Sequence, residues 1–240
     1  PFPSDPNLPV VALPNLVYAQ TASTLFTMLP GSPYTVSTVG NFTYDQSPGS
    51  VTDIAIDRYG VLYAVTFNDL FVCDPTTAAC VYLADLPQSF NGLTLVPPGV
   101  LNPFLDTLVG IASSGEWYEL SVGGGNVSIT SIGTYGAGYS SSGDAFYIQG
   151  VGTYGAVNKT GIADDVIVSV DPSTGAVIAD VATLTGYSSI FGLAGWTDAV
   201  FAFSSNGDVL FIDPTTGTWT VVQSTSNSWW GAGVYTILAQ

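Results

Sequence analysis

The segment from 189 to 223 constrains the fold most, because it holds four short apolar runs separated by turn-forming residues. The runs span 190–196, 199–203, 208–212 and 218–222. Asn206-Gly207 supplies the positive φ angles of a tight hairpin turn, and Asp213-Pro214 opens a turn that ends at Gly217. The runs are too short for helices and rich in Val, Phe, Ile and Trp, so the segment predicts four antiparallel strands of one meander.

Similar sets of four runs recur along the chain, and their first strands start about 40–50 residues apart, near 51, 92, 143 and 190. The chain from 15 to 39 supplies only three strands, whereas 231–238 is a strand without a set. These two pieces complete a fifth set. We therefore predict an all-β fold, a five-bladed β-propeller of four-stranded antiparallel blades, in which the C-terminal strand closes the ring by joining the N-terminal blade.

Three turn motifs carry a resemblance to known families. The segment 53–65 has an acidic turn followed by Gly-x-Leu-Tyr, and Asp-Pro-x-x-Gly turns occur at 171–175 and 213–217. On these motifs, residues 15–240 resemble the quinoprotein-like and WD-repeat-like β-propellers. The resemblance implies the fold of this stretch and no particular activity.

Residues 1–14 form a separate proline-rich arm. Its five prolines exclude a helix or a central strand over the whole arm. The arm also contains an apolar run with Val10, Val11 and Leu13. We expect the arm to dock either on its own propeller or on a neighbouring subunit, and we predict self-association through it.

The charge balance excludes several partners. Arg58 and Lys159 are the only basic residues against 18 acidic ones, giving a net charge of −16. Nucleic acid and anionic membranes are therefore poor partners. No apolar run reaches the roughly 20 residues that cross a bilayer, so no membrane insertion is expected. The chain begins with Pro1 rather than Met, from which we expect a removed signal peptide and an extracellular or cell-surface location.

The two cysteines, Cys73 and Cys80, lie symmetrically about a further Asp-Pro turn. On paired antiparallel strands they would face one another at disulfide distance, although two buried thiols are the alternative. A disulfide would indicate an oxidising compartment. Two cysteines without any histidine cannot form a zinc site.

The missing residue types argue against an enzyme. Without histidine the chain has neither the usual general base nor a Ser-His-Asp or Cys-His arrangement. Arg58 stands alone where a sialidase-like site needs an arginine cluster. Glu116 and Glu119 belong to one predicted strand and to no evident carboxylate cluster. No cofactor is required by this composition.

Calcium is the one metal that the sequence leaves open. Asp164 and Asp165 are the best candidate ligands among aspartates in or beside turns, which also include Asp53, Asp57, Asp106, Asp144 and Asp198. Turn aspartates also accept hydrogen bonds from their own backbone, and that is the competing interpretation.

Sequons and aromatic residues suggest contact with glycans. Asn41, Asn126 and Asn158 each begin an Asn-x-Ser/Thr sequon, so we expect glycosylation or chance occurrence in a Ser/Thr-rich chain. Six aromatic residues could stack on sugar rings or simply pack between blades. They are Trp196, Trp229, Trp230, Tyr135, Tyr139 and Tyr154.

Two function classes remain. The first is a non-enzymatic extracellular structural or assembly protein, such as a filament, sheath or surface-coat subunit. The alternative is a carbohydrate-binding, lectin-like adhesive propeller. A lectin-like site usually recurs once per blade, and no aromatic–polar motif recurs in all five sets. We therefore favour the structural protein.

Overall fold

The computed structural model describes residues 16–46 and 49–238. The predicted arm, with Val10, Val11 and Leu13, lies outside the described residues. Within them the secondary structure is β-strand, with no helix and hence no helix that could cross a membrane. The strands are β1 (Val17–Gln20), β2 (Thr24–Met28), β3 (Val36–Asn41), β4 (Thr43–Tyr44), β5 (Asp53–Ile56), β6 (Leu62–Val65), β7 (Asp69–Cys73), β8 (Ala79–Asp85), β9 (Gly92–Val96), β10 (Thr107–Ile111), β11 (Glu116–Gly123), β12 (Asn126–Thr134), β13 (Tyr139–Ile148), β14 (Gly152–Lys159), β15 (Val166–Val170), β16 (Val177–Thr183), β17 (Ile190–Trp196), β18 (Ala199–Ser204), β19 (Asp208–Ile212), β20 (Trp219–Ser224) and β21 (Gly231–Gly233).

The strands pair as four-stranded antiparallel meanders. Three separate sheets have the orders β21-β1-β2-β3, β13-β14-β15-β16 and β17-β18-β19-β20. The meanders β5-β6-β7-β8 and β9-β10-β11-β12 are joined only by one parallel pair, Asn126 with Asp85, and β4 pairs with β8. The predicted all-β fold of four-stranded antiparallel sheets is therefore confirmed.

One strand of each meander is buried along most of its length. We call β5, β9, β13, β17 and β21 the inner strands. Every residue of β5, β9 and β21 is buried, whereas the outer strands β3, β16 and β20 are largely exposed or half-buried. The inner strands pack in the order β5, β9, β13, β17, β21 and back to β5. This packing order brings the starts of all five inner strands together.

The hydrophobic core lies between neighbouring sheets. One cluster joins Phe26 of β2 to Phe203 of β18 through Trp229, whose ring contacts both in edge-to-face geometry. Another joins Trp117 of β11 to Tyr135, with ring centroids 5.7 Å apart. Large aromatic side chains thus fill the wedges between sheets, where their area contributes most to burial.

The last strand is shorter than the sequence predicts. A strand over 231–238 is expected, but β21 ends at Gly233. Tyr235 instead forms a single parallel bridge with Ile56, and its hydroxyl lies 3.3 Å from the Tyr18 hydroxyl. The Thr236 hydroxyl donates to Asp106. Because of these contacts, the chain after β21 turns away from β1 and runs towards β5, so that only three residues of β21 pair with β1.

The Asp-Pro turns have a common construction. In each turn the aspartate side chain accepts a hydrogen bond from the backbone N–H two residues later. Thr76 donates to Asp74, Ser173 to Asp171 and Thr215 to Asp213. The fifth position adopts a positive φ and is Ala78, Gly175 or Gly217. Cys73 and Cys80 flank the first turn as directly paired residues and form a disulfide with a Cα–Cα distance of 4.0 Å.

Candidate functional site: the mouth of the inner strands

The inner strands approach one another closely where they begin. A Cβ placed on Gly143 would lie 2.6 Å from the Phe191 Cα, and one on Gly192 would lie 2.6 Å from the Gly231 carbonyl carbon. Gly231 in turn packs on Asp53. Glycine is required at these positions because backbone meets backbone, leaving no room for a side chain.

Two aspartates bind the inner strands to each other. The Asp53 carboxyl accepts hydrogen bonds from the N–H groups of Ile54, at 2.8 Å, and Leu93, at 2.6 Å. The Asp144 carboxyl accepts from Ala145, at 2.6 Å, and Leu193, at 2.8 Å. Each aspartate therefore links its own strand to the next inner strand.

The Asp53 and Asp144 carboxyl groups are fully buried and lie close enough to influence one another. Burial raises the pKa of both well above the usual range, and the neighbouring Asp144 charge raises that of Asp53 further. Two adjacent buried carboxylates repel one another when both are charged, which favours the protonated form of the pair. The centre of the inner strands is thus a packed junction that contains two buried aspartates.

Above this junction lies a depression of about 260 Å³, which we call the mouth. Its aromatic side chains are Phe67, Phe191 and Trp230. Phe67 is 53% exposed, and the other two are half-buried. The remaining lining residues are Thr52, Asn91, Ser142 and Gly143. Most of them lie at or near the start of an inner strand, so all five meanders contribute to the mouth.

The polar groups of the mouth are held by buried partners. The Ser142 hydroxyl donates to Asp165 at 2.7 Å, and the same carboxylate oxygen accepts the Ile190 N–H at 2.7 Å. Burial raises the pKa of Asp165. The second Asp165 oxygen and the Asn91 side-chain carbonyl oxygen are buried and have no hydrogen-bond partner among the described residues. These unpaired acceptors suit a ligand or water that can donate hydrogen bonds.

The mouth presents aromatic and hydrogen-bonding groups. Ser142 is hydrogen-bonded to a carboxylate, but the chain has no histidine that could relay its proton. Both cations of the chain are engaged elsewhere, Arg58 with Asp106 and Lys159 with Asp180. The lining therefore offers flat aromatic surfaces and hydrogen-bonding groups to an uncharged ligand.

The predicted aromatic residues do not form one site. Trp230 lines the mouth, Tyr139 donates to Asp180 near Lys159, and Tyr154 lines a separate depression against Phe146. Trp196 is half-buried and packs on the core. Trp229 and Tyr135 are 0% and 2% exposed, so the expectation that they stack on a sugar is wrong for these two. They fill inter-sheet wedges instead.

The predicted calcium ligands point to different partners. Asp164 accepts the Gly186 N–H, whereas Asp165 accepts Ser142 and Ile190. No group of three or more acidic, cysteine or histidine side chains suited to a metal ion occurs among residues 16–46 and 49–238. A calcium site at Asp164 and Asp165 therefore stays a prediction.

The three sequon asparagines are exposed on separate meanders. Asn41 ends β3, Asn126 begins β12 and Asn158 lies near the end of β14. Their side chains already make hydrogen bonds within the protein, for example from Asn158 to the Ser141 carbonyl oxygen at 3.1 Å. Their modification also stays a prediction.

A second surface lies at the other end of the inner strands. We call it the platform, and it consists of Tyr59, Phe104 and Leu105, which are 50%, 79% and 46% exposed. These residues belong to the turns that follow β5 and β9. Neither the platform nor most of the mouth is evident from the sequence, since turn residues become neighbours only through the packing of inner strands.

Comparisons with known proteins give likenesses of structure only. No family model matches the chain, and no curated protein matches it. Similar solved structures include Kuenenia stuttgartiensis hydrazine synthase, at 14% identity, TM-score 0.49, and coverage of 92% of this chain and 69% of that one. Myxococcus xanthus glutaminyl cyclase matches at 19% identity, TM-score 0.48, and coverage of 76% and 69%.

A third similar structure is BamB from Moraxella catarrhalis, at 16% identity, TM-score 0.41, and coverage of 93% of this chain and 63% of BamB. The chain spans between 63% and 69% of the lengths of these three structures. These likenesses transfer no activity. By its own meanders and inner strands, the chain has the fold of the β-propeller superfamily.

Proposed function

We propose that the chain is a non-enzymatic extracellular structural subunit that self-associates through its N-terminal arm. The observation that carries this proposal is the apolar surface of the described chain. Phe104 is 79% exposed, and Tyr59 and Leu105 beside it are 50% and 46% exposed. Exposed apolar groups concentrated on neighbouring turns favour contacts with other proteins.

We propose further that the meanders are five blades of a closed propeller. The cyclic packing of the inner strands supports this arrangement, as does the pairing of β21 with β1, with Ala232 opposite Ala19. In a closed ring, each buried inner strand has a neighbour on both sides. A rigid ring with a packed interior, and with turns that carry no reactive groups, suits a building block of a larger structure.

The extracellular location is supported by the Cys73–Cys80 disulfide, because such bonds persist in oxidising compartments. The exposure of Asn41, Asn126 and Asn158 is compatible with glycosylation there. The two cations of the chain, Arg58 and Lys159, leave few cleavage sites for trypsin-like proteases. The disulfide and the small number of cleavage sites would both help an extracellular protein to resist degradation.

Assembly is tested by measuring particle mass against concentration, using light scattering and electron microscopy of the purified protein. We expect the intact chain to form oligomers or fibres, and a variant lacking residues 1–13 to remain monomeric with an unchanged melting temperature. An intact chain that stays monomeric at high concentration, or a truncated chain that assembles equally well, contradicts the proposal.

The second candidate function is glycan binding at the mouth. It is favoured by the three aromatic side chains Phe67, Phe191 and Trp230 beside the unpaired acceptor of Asn91. A glycan array probed with the intact protein tests it, with Trp230→Ala expected to abolish any signal and Trp196→Ala to preserve it. Binding that survives Trp230→Ala, or no binding to any glycan, excludes this function for the mouth.

A further inference from the structure

We infer that the platform formed by Tyr59, Phe104 and Leu105 is the acceptor surface for the N-terminal arm of a second copy of the chain. This inference rests on the proposed function and names the surface through which assembly occurs. It concerns the end of the inner strands opposite the mouth.

The platform is held in place by the only arginine of the chain. The Arg58 guanidinium donates to the Phe104 carbonyl oxygen at 3.0 Å and lies 4.9 Å from the centre of the Tyr59 ring. Its Nε atom also lies 3.0 Å from an Asp106 carboxylate oxygen, as an ion pair without an aligned hydrogen bond. Arg58 thus ties the turn after β5 to the turn after β9, while the apolar side chains of both turns face solvent.

Local electrostatics make the platform acceptable to an apolar segment despite the net charge of −16. The Asp106 charge is compensated by Arg58, and Asp57 accepts the N–H groups of Tyr59 and Val61 at 2.8 Å each. Burial raises the pKa of both aspartates. The carboxylates beside the platform are therefore satisfied from within the protein.

The arm has the composition that such a surface binds. Pro3, Pro6 and Pro9 are spaced by three residues, and the apolar run 10–13 follows. A polyproline II segment has three residues per turn, so prolines at this spacing share one face. Aromatic surfaces bind proline-rich segments in this conformation, and the preset φ angles reduce the entropy lost on binding. The arm carries a single acidic residue, Asp5, so its approach is not opposed by a concentrated charge.

The described chain begins at the same end of the molecule as the platform. Leu16 packs on the cluster that contains Ile56 and Tyr235, and Thr236 after it hydrogen-bonds to Asp106 beside Arg58. Two copies that face each other with these ends can exchange arms about a two-fold axis, so that one contact is made twice. Pro14, two residues before the described chain, disfavours a helical conformation of Leu13, so the sequence favours an extended arm.

A cross-linking experiment on the full-length protein tests both the surface and the copy. A photoreactive benzoyl-phenylalanine replaces Val11, and light and isotope-labelled proteins are mixed in equal amounts before irradiation. We expect cross-links to the peptides containing Tyr59 or Phe104, with half of them joining a light chain to a labelled one. Cross-links confined to chains of one label show docking within a single molecule and overturn the inference.

Matched substitutions provide an independent readout. Phe104→Ser removes the most exposed apolar side chain of the platform, and Ile178→Ser is the control on β16, where the side chain is 68% exposed. We expect Phe104→Ser to weaken self-association at least tenfold and Ile178→Ser to change it less than twofold, both with unchanged melting temperatures. If the intact chain assembles and Phe104→Ser assembles equally well, the platform is not the acceptor surface, whereas the proposed self-association is retained. If the intact chain does not assemble, the proposed function fails as well.

Discussion

Asp53 and Asp144 show how an ordinary residue acquires its role only from its neighbours. In the sequence they look like the other aspartates beside turns, and a calcium ligand or a backbone cap is the natural expectation for them. In the structure both are fully buried, and their carboxyl oxygens accept hydrogen bonds from backbone N–H groups of two strands each. Sequence reasoning has no means of finding this role, because the partners Leu93 and Leu193 lie about 40–50 residues away along the chain.

These two carboxyls predict an unusual dependence of stability on pH. The folded-state pKa of each aspartate is raised above the unfolded value of about 3.9, so the folded protein binds more protons than the unfolded chain. Stability therefore falls as the pH rises from the unfolded pKa to the folded pKa. At still lower pH the aspartates of the Asp-Pro turns, whose pKa values are lowered by hydrogen bonds within the turn, lose their contribution to stability. We expect a higher melting temperature at about pH 5 than at about pH 8.

Differential scanning fluorimetry across this range measures the effect. Asp53→Asn removes one of the paired titrating groups and should flatten the decline, even if it lowers the melting temperature at every pH. Asp198→Asn is the matched control, since Asp198 is exposed and lies outside the junction. Stability that rises from pH 5 to pH 8, or a slope that Asp53→Asn leaves unchanged, would contradict this account of the pair.

At the scale of the strand, local sequence predicts where strands and turns lie but not which side of a strand faces the core. The runs, the hairpin turns and the meanders follow from local sequence, and the structure confirms the four-stranded antiparallel sheets. Trp229 and Trp230 show the limit, because neighbouring residues of an extended chain face opposite sides. One lies in the core and the other at the mouth, and the dipeptide alone does not tell which.

Four of the five inner strands contain a glycine at their contact with a neighbouring inner strand. Gly92 and Gly231 are the first residues of β9 and β21, Gly192 is the third residue of β17, and Gly143 lies in the middle of β13. Glycine at a strand start is unremarkable until the neighbouring strand is known to lie against it. The sequence therefore contains the spacing of the meanders but not the contact that makes the glycines necessary.

Substitution of one of these glycines should be costly. A methyl group in Gly143→Ala would lie within about 2.6–2.8 Å of the backbone at 190–191, so β13 and β17 must separate. We expect a loss of about 1–3 kcal/mol, lowering the melting temperature by about 3–10 °C. Gly123→Ala is the control, because a Cβ at Gly123 meets nothing within 4 Å. Equal melting temperatures for the two variants would show that the inner strands are not tightly packed at this point.

At the scale of the whole molecule, the two ends of the described chain share one sheet. β21 pairs with β1 and also packs on β17 and β5, so it contacts two sheets besides its own. The sequence predicted this partnership from a missing strand at one end and a spare strand at the other. It overestimated the length of β21, because the contacts of Tyr235 with Tyr18 and Ile56 are tertiary and leave no periodic signal.

The proposed closure is tested by removing the closing strand. Deletion of residues 231–240 should expose the edge of β1 and the sides of β5 and β17, and we expect loss of the cooperative thermal transition together with aggregation. Deletion of Ala239 and Gln240 alone is the control and should melt like the intact protein. A native melting temperature after the larger deletion means that the sheets are held together without a closed ring.

The antiparallel pairing of β1 with β21 also determines how the molecule carries mechanical force. Tyr18 lies opposite Gly233 and Gln20 opposite Gly231, so the chain enters β1 and leaves β21 at the same end of the pair. Tension between the two chain ends peels this pair apart one hydrogen bond after another, which is the weakest direction of loading for a sheet. In an assembly joined by arm and platform, tension instead enters at β1 and leaves through the turns after β5 and β9. The C-terminal strand then lies outside the line of force, and the β1–β21 pair is not peeled apart.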